Sequence, residues 1–477
     1  MKICLINPAW LFCSESDIVL SQNLGLGYLA GFVREKGGHE VRIIDGLAEG
    51  FAHREKQTDS TVRVGLTNPE IIERLGDWAE LIGITVPFSH LGPSVERMCA
   101  SIKAALPGTP IIIGGVHPST CPEEFSRSSA DYWLVGEGEL SLLSLANGTA
   151  SEEIPGMMSR KKPRLAEGEK AECVADLDEI PFPAHDLLPM QAYTRLSPRR
   201  VSHTVSGSVL TSRGCPWDCQ FCSIHPIYGY GWRRRSAENV LDEIEELVET
   251  YNIRQLEFED DNLTLNRDRA MSIFAGIYDL GRRMGVDLTW GTPNGVRAET
   301  IDRQMLEAMK RSGCVRITFA LEHGDEEVRR LMDKKLAIDK FERAIVDAVD
   351  IGLHVEVFIM VGYPGETAKR FEKGRAYYQK LSKWGVNTLH FFYPQPYPGT
   401  RLYDFCLERG YLISDKYSLM PPVKIETEDF DTAEVVRRRE LLLSEFDRGY
   451  KWRQRIKSIL PQSAINALNR FIPRKKM

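Results

Sequence analysis

Short apolar runs alternate with longer amphipathic stretches through the first third of the chain. Residues 2–7, 81–86, 110–113 and 131–135 are nearly continuous apolar runs, which predict strands covered on both faces, and 39–44 predicts one more. Between them, 26–35 and 93–106 carry apolar residues at helical spacing, and Gly37-Gly38 supplies a stop behind the first. This order predicts an α/β fold over residues 1–145, a doubly wound, Rossmann-like parallel sheet. Ligands of such sheets lie beyond the carboxyl ends of the strands. Asn7-Pro8, Asp45-Gly46, Pro87-Phe88-Ser89, Gly114-Gly115 and Gly136-Glu137-Gly138 all fall at that edge. One such pair is ordinary turn chemistry, but five at one edge favour a crevice. Asn7, Asp45, Gly114, Gly115, Gly136 and Gly138 are its candidate contacts.

Residues 146–200 lose the pattern. The stretch 147–170 is rich in Gly, Ser, Glu and Lys and predicts loop without a core of its own, and Ile180-Pro181-Phe182-Pro183 predicts a proline-stiffened strap. The alternation resumes over 201–400. Strands are expected at 208–212, 255–259, 287–291, 315–321, 354–361 and 388–392, with helices between them. Six strands over roughly 190 residues fall short of the eight of a closed barrel and predict a partial, six-strand parallel barrel. Residues 401–477 predict a small helical segment, with Thr432 able to cap a helix of about 433–448.

The chemistry gathers where the barrel strands end. Cys215-Pro216-Trp217-Asp218-Cys219-Gln220-Phe221-Cys222 follows the first strand, Glu259-Asp260-Asp261-Asn262 the second, and Asn294 the third. Glu322 follows the fourth strand, and Gly362 and Gly365 the fifth. Three thiolates can hold three irons of a cubane and leave the fourth iron open. A zinc site is the rival, with His225 as a fourth ligand, although zinc loops more often pair two separated C-x-x-C hooks and no second hook exists. Carboxylates and amides crowded on one rim are costly unless they meet a ligand or one another. Asp260, Asp261 and Asn262 suit an amino group, Asn294 and Glu322 ribose or carboxylate groups, and Gly362 and Gly365 the face of an adenine. No catalytic residue is legible.

Composition narrows the classes. A net charge of −6 argues against a nucleic-acid footprint across the chain. No apolar run approaches the roughly 18 residues needed to span a bilayer. The N-terminus enters a strand without a signal-peptide pattern, and seven scattered cysteines read as reduced core residues, so a cytoplasmic location is expected.

The C-x-x-x-C-x-x-C loop, Phe221 before its last cysteine, Trp232-Arg233-Arg234-Arg235-Ser236, Phe258-Glu259-Asp260-Asp261-Asn262 and Pro364-Gly365-Glu366-Thr367 resemble the radical S-adenosylmethionine superfamily in its cobalamin-dependent branch. The front segment is similar to the cobalamin-binding domain of that branch through Asn7-Pro8, Gly25-Leu26-Gly27-Tyr28-Leu29-Ala30, Gly114-Gly115-Val116-His117-Pro118 and Val135-Gly136-Glu137-Gly138-Glu139. The resemblance implies three cofactors. They are a 4Fe-4S cluster on Cys215, Cys219 and Cys222, S-adenosylmethionine on the open iron, and cobalamin in the front domain. It further implies reductive cleavage of S-adenosylmethionine to a 5′-deoxyadenosyl radical. The D-x-H-x-x-G motif for axial ligation of cobalt is absent, which leaves Trp10 and Phe12 as candidates to wall that face or simply to pack.

Three readings follow from the resemblance: methylation of an unactivated carbon, a cyclase or oxidoreductase like the anaerobic magnesium-protoporphyrin monomethyl ester cyclase, or a cobalamin- or zinc-binding sensor. Expected partners are a small-molecule substrate, lipid or tetrapyrrole among the options, and an electron donor such as flavodoxin or ferredoxin. From Gly449 onward the chain has no acidic residue and interleaves basic with apolar side chains. Such a tail reads either as a solvated helix packed on the barrel or as a peripheral membrane contact at the inner face.

Overall fold

The computed structural model describes residues 1–196 and 205–446. The front sheet has six strands in the spatial order Glu40–Asp45, Lys2–Asn7, Leu81–Thr85, Ile111–Gly114, Tyr132–Leu134 and Met157–Ser159. The first five run parallel and the last is antiparallel. Alternate residues of each strand serve opposite faces. Ile3 and Leu5 pack with Leu26, Ala30 and Val33 of the Leu24–Gly37 helix, while Cys4 and Ile6 pack with Val95, Met98 and Ile102 of the Gly92–Ala105 helix. Helices on both faces explain why the strands are apolar throughout. Strand order reverses between Lys2–Asn7 and Leu81–Thr85, which opens the crevice at that point.

The sheet reaches past residue 145. Met157, Met158 and Ile154 are buried, so part of the segment expected to lack a core completes the front sheet as its edge. Three residues of strand among turn-forming neighbours carry too short a periodicity to be read from sequence.

The second sheet is the expected partial barrel. Ser206–Val209, Gln255–Phe258, Thr289–Val296, Cys314–Glu322, His354–Met360 and Thr388–Phe392 pair in parallel and in sequence order. Two boundaries differ from expectation. The first strand ends at Val209, and Ser212-Arg213 instead pairs antiparallel with Arg233-Arg234, bracketing the cysteine loop. The third strand continues to Val296, with an irregular register between Thr292 and Val296 that sets Asn294 on an exposed bulge. Bulges lie where a sheet re-aims side chains, and two of the irregularities of this sheet fall at the carboxyl rim. The second is at Glu322, whose φ of 68° is left-handed.

The Thr432–Phe446 helix packs on the barrel. Its Val435 fills the space beside Gly362, and Arg438 donates to Glu366 O at 2.8 Å and Oε1 at 3.0 Å. The basic stretch from Gly449 lies outside the described residues. Among the described residues no helix is long and apolar enough to cross a membrane.

Candidate functional site

The cysteine loop is pinned by protein on several sides. Gln220 N donates to Met332 O at 2.9 Å, Gln220 O accepts from Leu402 N at 2.8 Å, and Gln220 Oε1 accepts from Tyr363 Oη at 2.5 Å. Arg297 lies 4.2 Å over the Trp217 ring. Within the loop, Cys222 N donates to Cys219 O at 3.1 Å. Burial pushes the Cys222 thiol up to about 12, and it raises Cys219 against the pull of Lys334. Cys219 also feels Cys215, and Cys222 feels both Cys219 and Cys215. Clustered, partly buried thiols of this kind give up their protons when a cationic centre shares the site. His225 is committed elsewhere. Its Nε2 lies 3.2 Å from Cys215 O, and its ring stacks on Tyr230 at 4.2 Å. The fourth-ligand role that the zinc reading needed is therefore occupied by backbone and aromatic contacts.

Among the described residues, the triad with ligand atoms within 4.8 Å of one another is His117, Cys121 and Glu124, not the loop cysteines. The loop sulfurs do not all lie within 4.8 Å of one another. The His117 triad already holds a cation, because Lys416 Nζ sits on Glu124.

The second-strand residues divide by role. Asp260 is buried and fully engaged: Thr211 Oγ1 donates at 2.7 Å, Ser212 Oγ at 2.5 Å and Thr211 N at 3.1 Å. It is a clamp on the strand leading into the cysteine loop rather than a free ligand contact. Asp261 is solvent-exposed but surrounded by protein, and burial with Asp260 behind it lifts its carboxyl to about 7. The Gly214 N–H, next to Cys215, opposes that rise. Asn262 is buried and its Nδ2 has no acceptor. Asn294 Nδ2 donates to Glu259 O at 2.8 Å and Glu259 Oε2 at 3.2 Å, which ties the third rim loop to the second. Glu322 is ion-paired with the buried Lys334 at 3.0 Å. Gly362 and Gly365 have local reasons for glycine, since both have φ of 85° and face Val435 and Leu331. The Asp261 carboxyl acts on the Cys222 thiol, and next to it in the chain stands the orphaned Asn262 amide, a pair of groups that suits a ligand with both an amino and a carboxylate group.

Asn7 and Asp45 do not line the crevice. Asn7 Nδ2 donates to Asp45 Oδ1 at 2.8 Å, Asp45 Oδ1 also accepts from Ala48 N at 3.0 Å, and Tyr193 Oη bonds to Asp45 Oδ2. This buried knot joins two strand ends to the Met190–Leu196 helix. Trp10 likewise packs edge-on against Phe88 at 5.3 Å and lies outside the cavity lining. Gly114, Gly115, Gly136 and Gly138 do line a cavity of about 300 Å³. A Cβ on Gly114 would meet nothing within 4 Å, so the cavity is open at that wall. The opposite wall is not from the front domain: it is Leu210, Arg213, Ile227 and Tyr228, which flank the cysteine loop.

Sequence reasoning missed what joins these walls. Arg213 reaches Glu137 Oε2 at 2.6 Å and Glu139 Oε1 at 2.7 Å, all three buried, and Arg233 also bonds Glu137. It also missed the polar barrel lumen, where Glu257 meets Arg316 at 2.5 Å and Glu356 meets His390 at 3.1 Å. The signal was present as polar residues at every second position of Glu257, Arg316, Glu356 and His390 strands, facing away from the apolar helix layer.

A three-thiol loop on the rim of a partial barrel, flanked by residues that wall a glycine-lined crevice, defines the class of protein. Residues 209–374 match the family model of the radical SAM superfamily, and 19–146 match that of the B12 binding domain. The chain is 30% identical to an uncharacterized methyltransferase of Pyrococcus horikoshii, over 89% of this chain and 87% of that one. It is 29% identical to cytidylyl-2-hydroxyethylphosphonate methyltransferase of Streptomyces wedmorensis, over 86% and 82%. In fold it superposes on the radical S-adenosylmethionine methyltransferase TsrM of Kitasatospora setae, solved with cobalamin and a 4Fe-4S cluster bound. The TM-score is 0.63 at 17% identity, over 86% of this chain and 75% of that one. The chain belongs to the cobalamin-binding radical S-adenosylmethionine enzymes, whose cofactors are a 4Fe-4S cluster, S-adenosylmethionine and cobalamin.

Proposed function

We propose that this enzyme methylates an unactivated carbon of a small molecule. The observation that carries the reading is the shared cavity, with Gly114, Gly136 and Gly138 on one wall and Arg213, Ile227 and Tyr228, beside the cysteine loop, on the other. When bound, the cluster with S-adenosylmethionine supplies one-electron activation of a substrate C–H, and cobalamin supplies the methyl group. The chain's own residues do the rest. Cys215, Cys219 and Cys222 hold the cluster, and Asp261 and Asn262 orient the amino-acid end of S-adenosylmethionine. The crevice glycines let a large flat cofactor approach backbone. The Arg213–Glu137–Glu139 ion pairs hold the crevice and loop in register, as positioning rather than reacting groups.

The names of both relatives support methyl transfer. The substrate enters between the polar lumen and the cavity, and an electron donor such as flavodoxin or ferredoxin delivers the reducing electron. The basic stretch after Gly449 docks on anionic membrane in this reading; liposome co-sedimentation unchanged on deleting residues 449–477 sinks that part. The central test is product analysis after anaerobic reconstitution. Methyl transfer yields S-adenosylhomocysteine together with 5′-deoxyadenosine, whereas deoxyadenosine alone would move the assignment to a cyclase or oxidoreductase.

A further inference from the structure

Most polar groups around the glycine-walled cavity already have partners. Arg213 is spent on Glu137 and Glu139, and Leu210 O accepts from Tyr28 Oη at 3.1 Å and from Arg235 Nη1 at 3.2 Å. Asn23 Oδ1 accepts from Leu26 N at 3.1 Å. On the barrel-side wall one group differs. Tyr228 Oη has no hydrogen-bond partner among the described residues and, unlike the orphaned Asn262 amide, it is not closed off from solvent. Its hydroxyl is therefore open to whatever fills the cavity.

The chain fixes this tyrosine from both ends of a short helix, His225–Tyr228. Tyr228 N donates to Ile224 O at 3.0 Å, and Gly229, with a φ of 68°, turns the chain away directly after it. At the other end the His225 ring meets Cys215 O at 3.2 Å, and Pro226 sets the first turn. The element that carries Tyr228 is thus an extension of the cysteine loop, and the Val116–Thr120 helix of the front domain packs against it. Burial pushes the phenol up to about 12 while the neighbouring Arg213 opposes the rise, so at neutral pH the group is an O–H and can donate. Covering such a hydroxyl with a large flat surface is unfavourable unless the occupant brings an acceptor.

We infer that Tyr228 donates a hydrogen bond to an amide carbonyl at the edge of cobalamin. The corrin is a flat apolar ring fringed by amide side chains, which supplies both the covering surface and the acceptor. The inference rests on cobalamin occupying this cavity. It makes the cofactor a ligand of both domains, gripped on the barrel side by the same short element that is tied to Cys215.

The test is spectroscopic titration of the full chain, its cluster reconstituted anaerobically and cobalamin left out. The titrants are aquacobalamin and, separately, diaquacobinamide, which keeps the ring amides but lacks the nucleotide tail. Tyr228→Phe keeps the aromatic ring and should weaken both about 2- to 10-fold, the range of one neutral hydrogen bond, with cluster absorbance and urea midpoint unchanged. Tyr278→Phe, at an exposed tyrosine outside the cavity, should change neither affinity. Gly114→Leu separates the two ways of failing. If it releases cobalamin while Tyr228→Phe binds both corrinoids as the wild type does, the cavity stands and the role of Tyr228 is overturned. If Gly114→Leu itself keeps wild-type affinity, cobalamin lies elsewhere and the inference falls with its premise. A loss in Tyr228→Phe confined to aquacobalamin overturns the amide assignment, because the contact is then with the nucleotide tail. A lowered urea midpoint in Tyr228→Phe overturns it in favour of a structural role.

Discussion

Cys215, Cys219 and Cys222 carry the strongest single-residue expectation. Replacing any one by alanine should abolish the charge-transfer absorbance of the reconstituted cluster. Cleavage of S-adenosylmethionine should fall by at least the roughly 10- to 100-fold that even outer-shell changes cost at metal sites. His225→Ala should leave iron content intact, because that imidazole serves Cys215 O and Tyr230. A loss of metal in His225→Ala would restore the zinc reading. A second residue-scale effect is visible in stability. Burial holds the His117 and His90 imidazoles down to about 4. In the unfolded chain both titrate near their ordinary value of 6.5. Between pH 6.5 and 4 the unfolded state therefore binds more protons, and stability falls as pH falls through that window. The loss should be up to about 3 kcal/mol per histidine. Urea unfolding of His117→Gln across pH 7 to 4.5 should show a shallower slope than wild type.

At the scale of elements, the informative position is the end of the Ile111–Gly114 strand. A side chain on Gly114 meets no protein atom, so Gly114→Leu should fold with unchanged urea midpoint while it fills the crevice. Cobalamin retention on gel filtration should drop by about an order of magnitude or more, since the obstructed contact is van der Waals packing along a flat face. A variant that retains cobalamin at wild-type stoichiometry would remove this wall from the site. Gly362 behaves oppositely. Its φ of 85° and the 2.6 Å approach of Val435 make any Cβ there a clash with the Thr432–Phe446 helix, so Gly362→Ala should cost stability rather than binding.

Across the whole molecule, the two domains are joined by a buried ion network rather than by apolar packing alone. Glu137→Gln would leave the buried Arg213 with one carboxylate, Glu139, and would remove the ion pair that Arg233 makes with Glu137. Breaking such a pair is expected to destabilise by about 3–5 kcal/mol. Chemical denaturation should show it, and methylation should fall more than S-adenosylmethionine cleavage, because the latter needs only the barrel side. Equal losses in both reactions would assign the pair a purely structural role.

The alternation of apolar strands with helical stretches was legible because burial on both faces of a parallel sheet demands it residue by residue. The six-strand barrel, the front sheet and the thiol loop were therefore all readable along the chain. The rim was less so. Asp260 and Asp45 were read as ligand contacts from type and position, but hydrogen-bond partners far along the chain, Thr211 and Tyr193, consume them. Gly114 and Gly136 both line the cavity, Gly114 facing open space and Gly136 close against Ala171. Two features belong to tertiary structure alone: the cavity shared between domains and the Arg213–Glu137–Glu139 network. Each is a juxtaposition of segments distant in sequence, set by how the domains pack, and no local periodicity records it. Residue chemistry along the chain determined which cofactors this protein can hold; the packing of one domain against the other decided which residues wall one cavity.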